Sequence, residues 1–339
     1  MRRLLLSVAV VAVVLAVVAG AVAAFLAGRS PDGGALTGVA EATRTAESSP
    51  PPSGEIVFTR DGGKPGRQAL YVMAADGSRV RLLARDGADP AASPDGRRIA
   101  FMRGGGIWIV QRDGSGQRQL TDPPYVATEK RDAYPDEAPA WSPSGRTLYF
   151  VRSPDSETHQ LFSIRADGTH LVRLAEVTRY YCLGDPSPAP DGRLIAFSVY
   201  DCMHGQGGGI VAVTPGGQHR GFPFVFPGSE EDLIRDPAWS PAGGKLAYTF
   251  EDLPTYDGTG IEVYSGGPGG VYVSTSRVSQ SPRLVVENGS EPTWSPGGTW
   301  IAFREYGGGI SVVRPDGTGV RPLSRRGSDS SPAWLPAAS

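Results

Sequence analysis

Four carboxylates in this chain share one position. Asp89, Asp185, Asp236 and Glu291 each stand directly before a proline: Pro90, Pro186, Pro237 and Pro292. Two further prolines of the same kind follow Ala138 and Ser331. Carboxylates gathered by a fold repel one another and raise each other's pKa unless a cation relieves them. An oxygen-rich cluster of this kind suits a hard cation such as Ca²⁺, or the Lys or Arg of a partner. The same residues have a plainer role open to them, since Asp before a strand accepts local backbone N–H bonds and shapes the turn.

A second set is acidic and aromatic. Residues 122–138 hold Tyr125, Tyr134, Asp136 and Glu137; Tyr180 and Tyr181 follow within 176–185. Glu230 and Glu231 lie within 221–236, and Asp252 and Tyr256 within 251–260. Tyrosine offers amphipathic contact area at low entropy cost, as protein interfaces use it. These ten residues are the expected partner-binding face. Catalytic signatures are weak by comparison. There is no Gly-x-Ser-x-Gly elbow, and His159, His170, His204 and His219 show no metal-ligand spacing. Two cysteines, Cys182 and Cys202, are too few for a zinc site.

The prolines belong to a longer phrase. Pro139-Ala-Trp-Ser-Pro-Ser-Gly145 leads to Leu148-Tyr-Phe150, and Pro237-Ala-Trp-Ser-Pro-Ala-Gly243 leads to Leu246-Ala-Tyr248. Variants start at Pro90, Pro186 and Pro292, and a truncated copy starts at Pro332. Self-similarity at 40–55 residues marks a propeller or solenoid. Each unit reads as four short strands parted by turn dipeptides such as Asp113-Gly114. Four strands per unit, radially repeated, make propeller blades. A three-strand unit (55–59, 69–73, 80–83) precedes the first phrase, and the orphan strand 332–336 ends the chain. Joining them closes a sixth blade and leaves no free edge. The expected fold is therefore all-β: a six-bladed propeller of four-stranded antiparallel blades, closed by the C-terminal strand.

The Pro-x-Trp-Ser-Pro-Asp-Gly-x-x-Ile-Ala-Phe phrase, with Leu70-Tyr-Val-Met-Ala-Ala-Asp-Gly77, resembles the TolB-type six-bladed propeller repeat over residues 54–339. Ala92 and Pro188 depart from it where Trp is usual. The resemblance implies that the phrase strand is innermost, so Asp89, Asp185, Asp236 and Glu291 should ring the mouth of a central channel. It carries little about function, because one blade type serves binding proteins, peptidase accessory domains and enzymes. In such a meander the long links all emerge at one face. Cys182 and Cys202 fall on that face beside adjacent strands, where a disulfide is expected; two free thiols are the alternative.

Net charge is −2 with basic residues spread singly, which excludes a strong nucleic-acid field. Residues 4–27 carry no charge and follow Arg2 and Arg3. That length spans a bilayer and places the C-terminal bulk outside. The expected organisation is a signal anchor at 1–27, a Pro/Ser/Thr/Gly-rich linker at 28–53 and the propeller at 54–339. Cleavage after Ala23 and secretion is the alternative. The reading is a monomeric, non-catalytic, membrane-tethered propeller that binds a protein or peptide at the cell envelope. It uses no cofactor, apart from a Ca²⁺ that the acidic ring could take. The alternative is a ligand-, glycan- or cation-binding propeller with a hydrolase or dehydrogenase site at the channel mouth.

Overall fold

The structure, a computed structural model, describes residues 52–62, 68–123, 136–155, 158–178, 181–201, 208–218, 232–251, 255–256, 262–263, 269–275, 282–324 and 328–337. Six sheets arise in chain order. Blade 1 runs Ala88–Ala92, Arg98–Arg103, Gly106–Gln111 and Arg118–Gln119, and blade 2 runs Asp136–Trp141, Thr147–Asp155, Thr158–Arg165 and Val172–Thr178. Blade 3 shows Tyr181–Pro188, Ile195–Asp201 and Gly209–Val213 among the described residues. Blade 4 has Leu233–Trp239, Lys245–Glu251, Gly270–Thr275 and Arg283–Glu287; blade 5 has Gly289–Trp294, Ile301–Glu305, Ile310–Val313 and Arg321–Pro322. A two-stranded ribbon, Thr255–Tyr256 with Glu262–Val263, is inserted between the second and third strands of blade 4.

Blade 6 joins the two ends of the domain. Asp329–Leu335 pairs antiparallel with Glu55–Asp61, which continues to Gln68–Ala74 and Arg81–Arg85. The ring is thus closed by a C-terminal strand, which pairs the inner edge of Glu55–Asp61. Two features lock this clasp. Arg60 grips Asp329 with Nε–Oδ1 at 2.6 Å and Nη2–Oδ2 at 2.8 Å, and the Asp329 side chain is fully buried. Arg112 donates to the Pro336 carbonyl at 2.6 Å. Beside it Gly96, at φ +66°, sits so close that a Cβ would lie 2.4 Å from that same oxygen. Any side chain there would push the clasp away.

The apolar core is divided six ways. Each buried cluster lies between two neighbouring blades: Ile99 and Phe101 with Val57, Leu70 and Leu335; Trp141, Leu148 and Phe150 with Ala100 and Ile109; Phe197 with Tyr149 and Val151. The other three follow the same plan, Leu246 and Tyr248 with Ala196 and Ile210, Phe303 with Ala247 and Val271, Ile56 and Phe58 with Ala302 and Val312. A four-stranded sheet has two apolar faces and buries them only by facing a neighbour on each side. The repeated tryptophans serve this packing. Trp141 Nε1 donates to Ala91 O at 3.1 Å and Trp294 Nε1 to Ala238 O at 3.0 Å, each reaching the innermost strand of the preceding blade.

The innermost strands begin earlier than the prolines suggest. Blade 1 opens at Ala88 and blade 2 at Asp136, ahead of Pro90 and Pro139. The physical reason is a β-bulge. The register shifts between Ala88 and Ala91, and again between Glu137 and Ala140, Gly184 and Ser187, Arg235 and Ala238, and Ser290 and Thr293. Two residues on one strand oppose one on the next, so pairing resumes beyond the proline. No helix among the described residues is long and apolar enough to cross a membrane, and residues 4–27 and the 28–51 part of the linker lie outside them.

Candidate binding site at the channel mouth

All six residues before the opening prolines have left-handed backbone. The φ angles are 49° at Asp89, 50° at Ala138, 48° at Asp185, 54° at Asp236, 53° at Glu291 and 48° at Ser331. Asp tolerates this region better than most residues, because its short side chain bonds locally. The proline that follows has no N–H, so the bulge wastes no ladder donor. The six bulges surround a central cavity of ≈ 350 Å³, lined also by Pro90, Pro139, Pro186, Pro237, Pro292 and Pro332. Asp89, Asp185, Asp236 and Glu291, the four carboxylates expected at the channel, are all among the residues that line this cavity.

The ring passes hydrogen bonds from blade to blade. The Glu291 N–H donates to Asp236 Oδ2 and to Thr249 Oγ1, both at 3.1 Å. Thr249 Oγ1 donates in turn to Asp236 Oδ2 at 2.6 Å. The Ser331 N–H donates to Glu291 Oε2 at 2.5 Å, and Ser331 Oγ to Asp89 Oδ1 at 3.1 Å. The Asp89 N–H reaches Thr59 Oγ1 at 3.1 Å. Two of the carboxylates thus fill the structural role open to them, since Asp236 and Glu291 accept backbone N–H bonds, here from the neighbouring blade. The second-strand hydroxyls Thr59 and Thr249 were not anticipated. Their signal was in the repeat, since each directly follows the aromatic that ends the phrase, as Ser198 does.

These bonds do not remove the crowding. Burial is the main influence lifting the Asp185 carboxyl well above the usual range, followed by the charge of Asp236 and a hydrogen bond with it. Burial likewise lifts Asp89, which its bond from Ser331 only partly offsets. Glu291 is raised by burial and by Asp236, against the pull of Ser331 and Arg304. Burial, then Asp89 and Asp136, carries Glu137 from 4.5 to about 7. A crowded ring of this kind relieves itself by holding protons. Among the described residues no group of three or more His, Cys, Asp or Glu is arranged to hold a metal ion, so the Ca²⁺ expectation gains no support.

The expected partner-binding residues fare unevenly. Asp136 belongs to the interior: it is fully buried, and Arg152 grips it through Nε at 2.5 Å and Nη2 at 2.7 Å. It repeats the Arg60–Asp329 arrangement, three residues before the proline in each case, and is committed to holding blade 2. Tyr181 is half-buried and packs on the cluster shared by blades 2 and 3. Glu137 sits with the acidic ring. Tyr125, Tyr134, Tyr180, Glu230, Glu231 and Asp252 lie outside the described residues, as does the side chain of Tyr256. Cys182 lies on the innermost strand of blade 3, its Sγ 3.2 Å from His159 Nε2. The strand ladder pairs Tyr181 with Asp201, and Cys202 is the first residue beyond it, outside the described residues.

No protein-family profile matches the chain. An uncharacterized peptidase of Bacillus subtilis, YuxL, is 29% identical over 121 residues, which is 33% of this chain and 17% of that protein. The match thus spans about a sixth of the length of that peptidase. TolB from Acinetobacter baumannii superposes with a TM-score of 0.63 at 19% identity, covering 84% of this chain and 67% of that one. A chain of a nidogen/laminin complex superposes at 0.58 with 9% identity, over 83% and 98%. At such identities the likeness is one of fold alone, that of a TolB-like six-bladed propeller.

Proposed function

We propose that this chain is a non-catalytic binding propeller, presented outside the cytoplasm from an N-terminal anchor, that holds a protein or peptide partner by its basic groups at the channel mouth. The observation that carries the reading is the ring itself. Four carboxyls sit on strained, equivalent backbone around one cavity, and they meet no metal-type ligand set. An acidic cavity with fixed walls is preorganised for a cationic group, and preorganisation cuts the entropy lost on binding. The fold likeness to TolB and to a chain of a nidogen/laminin complex is in keeping with a binding scaffold. The long links 122–138, 176–185 and 221–236 would add tyrosine and acidic contacts around the mouth.

Crosslinking capture from envelope extracts tests this. Wild type should recover a basic partner that a Glu137→Gln, Asp236→Asn, Glu291→Gln triple variant, checked for an unchanged fold by circular dichroism, recovers at a tenth of the yield or less. Equal recovery would reject the channel mouth as the binding face.

One observation favours a second reading. Glu137, lifted to about 7, is poised as a general acid would be, and the partial likeness to a peptidase keeps an enzymatic role in view. A hydrolase working there would lose turnover in Glu137→Gln with the partner yield unchanged.

A further inference from the structure

Among the described residues, the one hydroxyl beside the channel ring that its neighbours do not satisfy is that of Ser198. Ser198 is fully buried, and its Oγ has no hydrogen-bond partner among the described residues. Its position in the sheet says where that oxygen belongs. Ser198 pairs with Gly184, Thr249 with Arg235 and Thr59 with Ser330, in each case the residue before the left-handed one. At the two equivalent positions the hydroxyl bonds to the ring: Thr249 to Asp236 and to the Glu291 N–H, Thr59 to the Asp89 N–H. Ser198 therefore faces the ring beside Asp185 with an acceptor to spare. Leaving a buried hydroxyl unbonded costs about 1–3 kcal/mol.

We propose that Asp185, Asp236 and the Ser198 hydroxyl form a subsite for one primary ammonium group entering the channel. This rests on the binding reading above and names the chemistry of its anchor. An ammonium carries three donors in a compact tetrahedral head, and the subsite offers three acceptors from two adjacent blades. The flat guanidinium fork of arginine wants two parallel carboxylate oxygens instead, and bonds Asp136 and Asp329 in that way elsewhere in this fold. Pro186 and Pro237 line the cavity beside the two carboxyls and would cover an aliphatic stem. At ≈ 350 Å³ the cavity lies in the size range of small-ligand sites, about 300–1,000 Å³.

The proton count follows from two carboxyls of adjacent blades lining one cavity, where burial and then the charge of Asp236 lift the Asp185 carboxyl well above its usual range. Crowded carboxyls of this kind hold a proton between them. On binding, the Asp185 carboxyl gives its proton to solvent, and the ammonium donates to both carboxylates and to Ser198 Oγ. One cation enters and one proton leaves, so affinity should rise up to about tenfold per pH unit while Asp185 is protonated in the free protein. The other charged groups facing the pair are Asp89, Glu137, Glu291 and Arg235, with Tyr200 beside Asp185. Arg235 is ion-paired with Glu251 and feels the charges of Asp236 and Asp185.

The test uses the full chain with ¹³C-labelled aspartate carboxyls and Nα-acetyl-lysine amide as probe, against Nα-acetyl-norleucine amide as the uncharged control. The lysine probe should shift the Asp185 and Asp236 carboxyl signals at millimolar concentration or below, with binding tighter at pH 8 than at pH 6. Calorimetry in two buffers of different ionisation heat should show one proton released. Ser198→Ala should weaken the probe several-fold with an unchanged melting temperature, and Asp185→Asn should weaken it at least tenfold and flatten the pH dependence. Equal response to the norleucine probe, pH-independent affinity, or indifference to both variants would overturn the subsite. A 1,5-diaminopentane arm identifies the source: tighter binding than lysine points to a free amine, weaker binding to a peptide side chain, and either keeps the site. Partner capture unaffected by Asp185→Asn, without a lysine response, sinks the subsite and leaves the partner reading. A lysine response with no captured partner does the reverse.

Discussion

Asp329→Asn should loosen the ring at its clasp. Asp329 is fully buried, and both its oxygens are taken by Arg60, whose side chain is 16% exposed. Removing one member of a buried pair costs about 3–5 kcal/mol, mainly because the other charge is stranded. Arg60 is not wholly stranded: its guanidinium lies 5.1 Å from the Phe58 ring centre and 4.8 Å from that of Tyr71, and it has some access to water. The lower end, about 3 kcal/mol, is therefore expected. For a domain of this size, roughly 2 °C is lost per kcal/mol, so melting should fall by about 6 °C. Thermal and denaturant unfolding measure the loss, and hydrogen exchange locates it. Amides of Glu55–Asp61 and Asp329–Leu335 should exchange faster than those of blades 2 to 4, because the lost ion pair joins these two strands directly and opening is local to the contacts removed. Asp136→Asn removes the matching pair in blade 2, whose paired strands follow one another in sequence, and should loosen blade 2 and leave the clasp amides unchanged. Replacing Arg60 and Asp329 together by Met and Leu should recover most of the loss. An Asp329→Asn protein that melts within about 1 °C of wild type, with unchanged exchange at the clasp, would refute the reasoning.

Three further outcomes are expected. Stability should fall as pH rises through the neutral range: Glu137 titrates near 7 folded and near 4.5 unfolded, so its contribution is intact below pH 4.5 and lost as pH passes about 7. The loss is on the order of 3 kcal/mol, and a melting curve series from pH 5 to 8 that shows no decline, or a Glu137→Gln series with the same slope, would contradict it. Ala138→Gly should stabilise the fold by about 1 kcal/mol in urea unfolding, since Ala138 sits at φ 50° with a Cβ that this region penalises; a lowered midpoint would show that the methyl group packs usefully. Peptide mapping without reductant should recover Cys182 joined to Cys202, and reduction should cost about 3 kcal/mol because it frees a loop of this length in the unfolded chain; two alkylatable thiols per chain would exclude the bridge.

The blades were readable because each repeats one local rule. Ser-Pro-Asp-Gly and Asp-Gly turns supply the positive φ angles of tight hairpins, and the runs between them are short and apolar. The clasp was readable from an orphan strand copy, Pro332-Ala-Trp334, and an opening unit one strand short. The role of Asp136 was not. In the chain it sits among Tyr134, Pro135 and Glu137 and reads as an exposed acid; its partner Arg152 lies across the sheet, and only strand pairing brings them together. The bulge was likewise hidden, because a residue before proline favours extended backbone and nothing local announces φ near 50°.

Sequence by itself determined the blade number, the strand order within each blade and the four carboxylates one place before the phrase, since turn chemistry and periodicity are local properties. Tertiary structure decided what those carboxylates meet. Closing six blades into a ring brings residues about fifty positions apart around one cavity, where burial raises their pKa values and hydrogen bonds pass from Asp236 to Glu291 to Ser331 to Asp89. Charge repulsion and desolvation depend on distance through space, which the spacing along the chain does not carry.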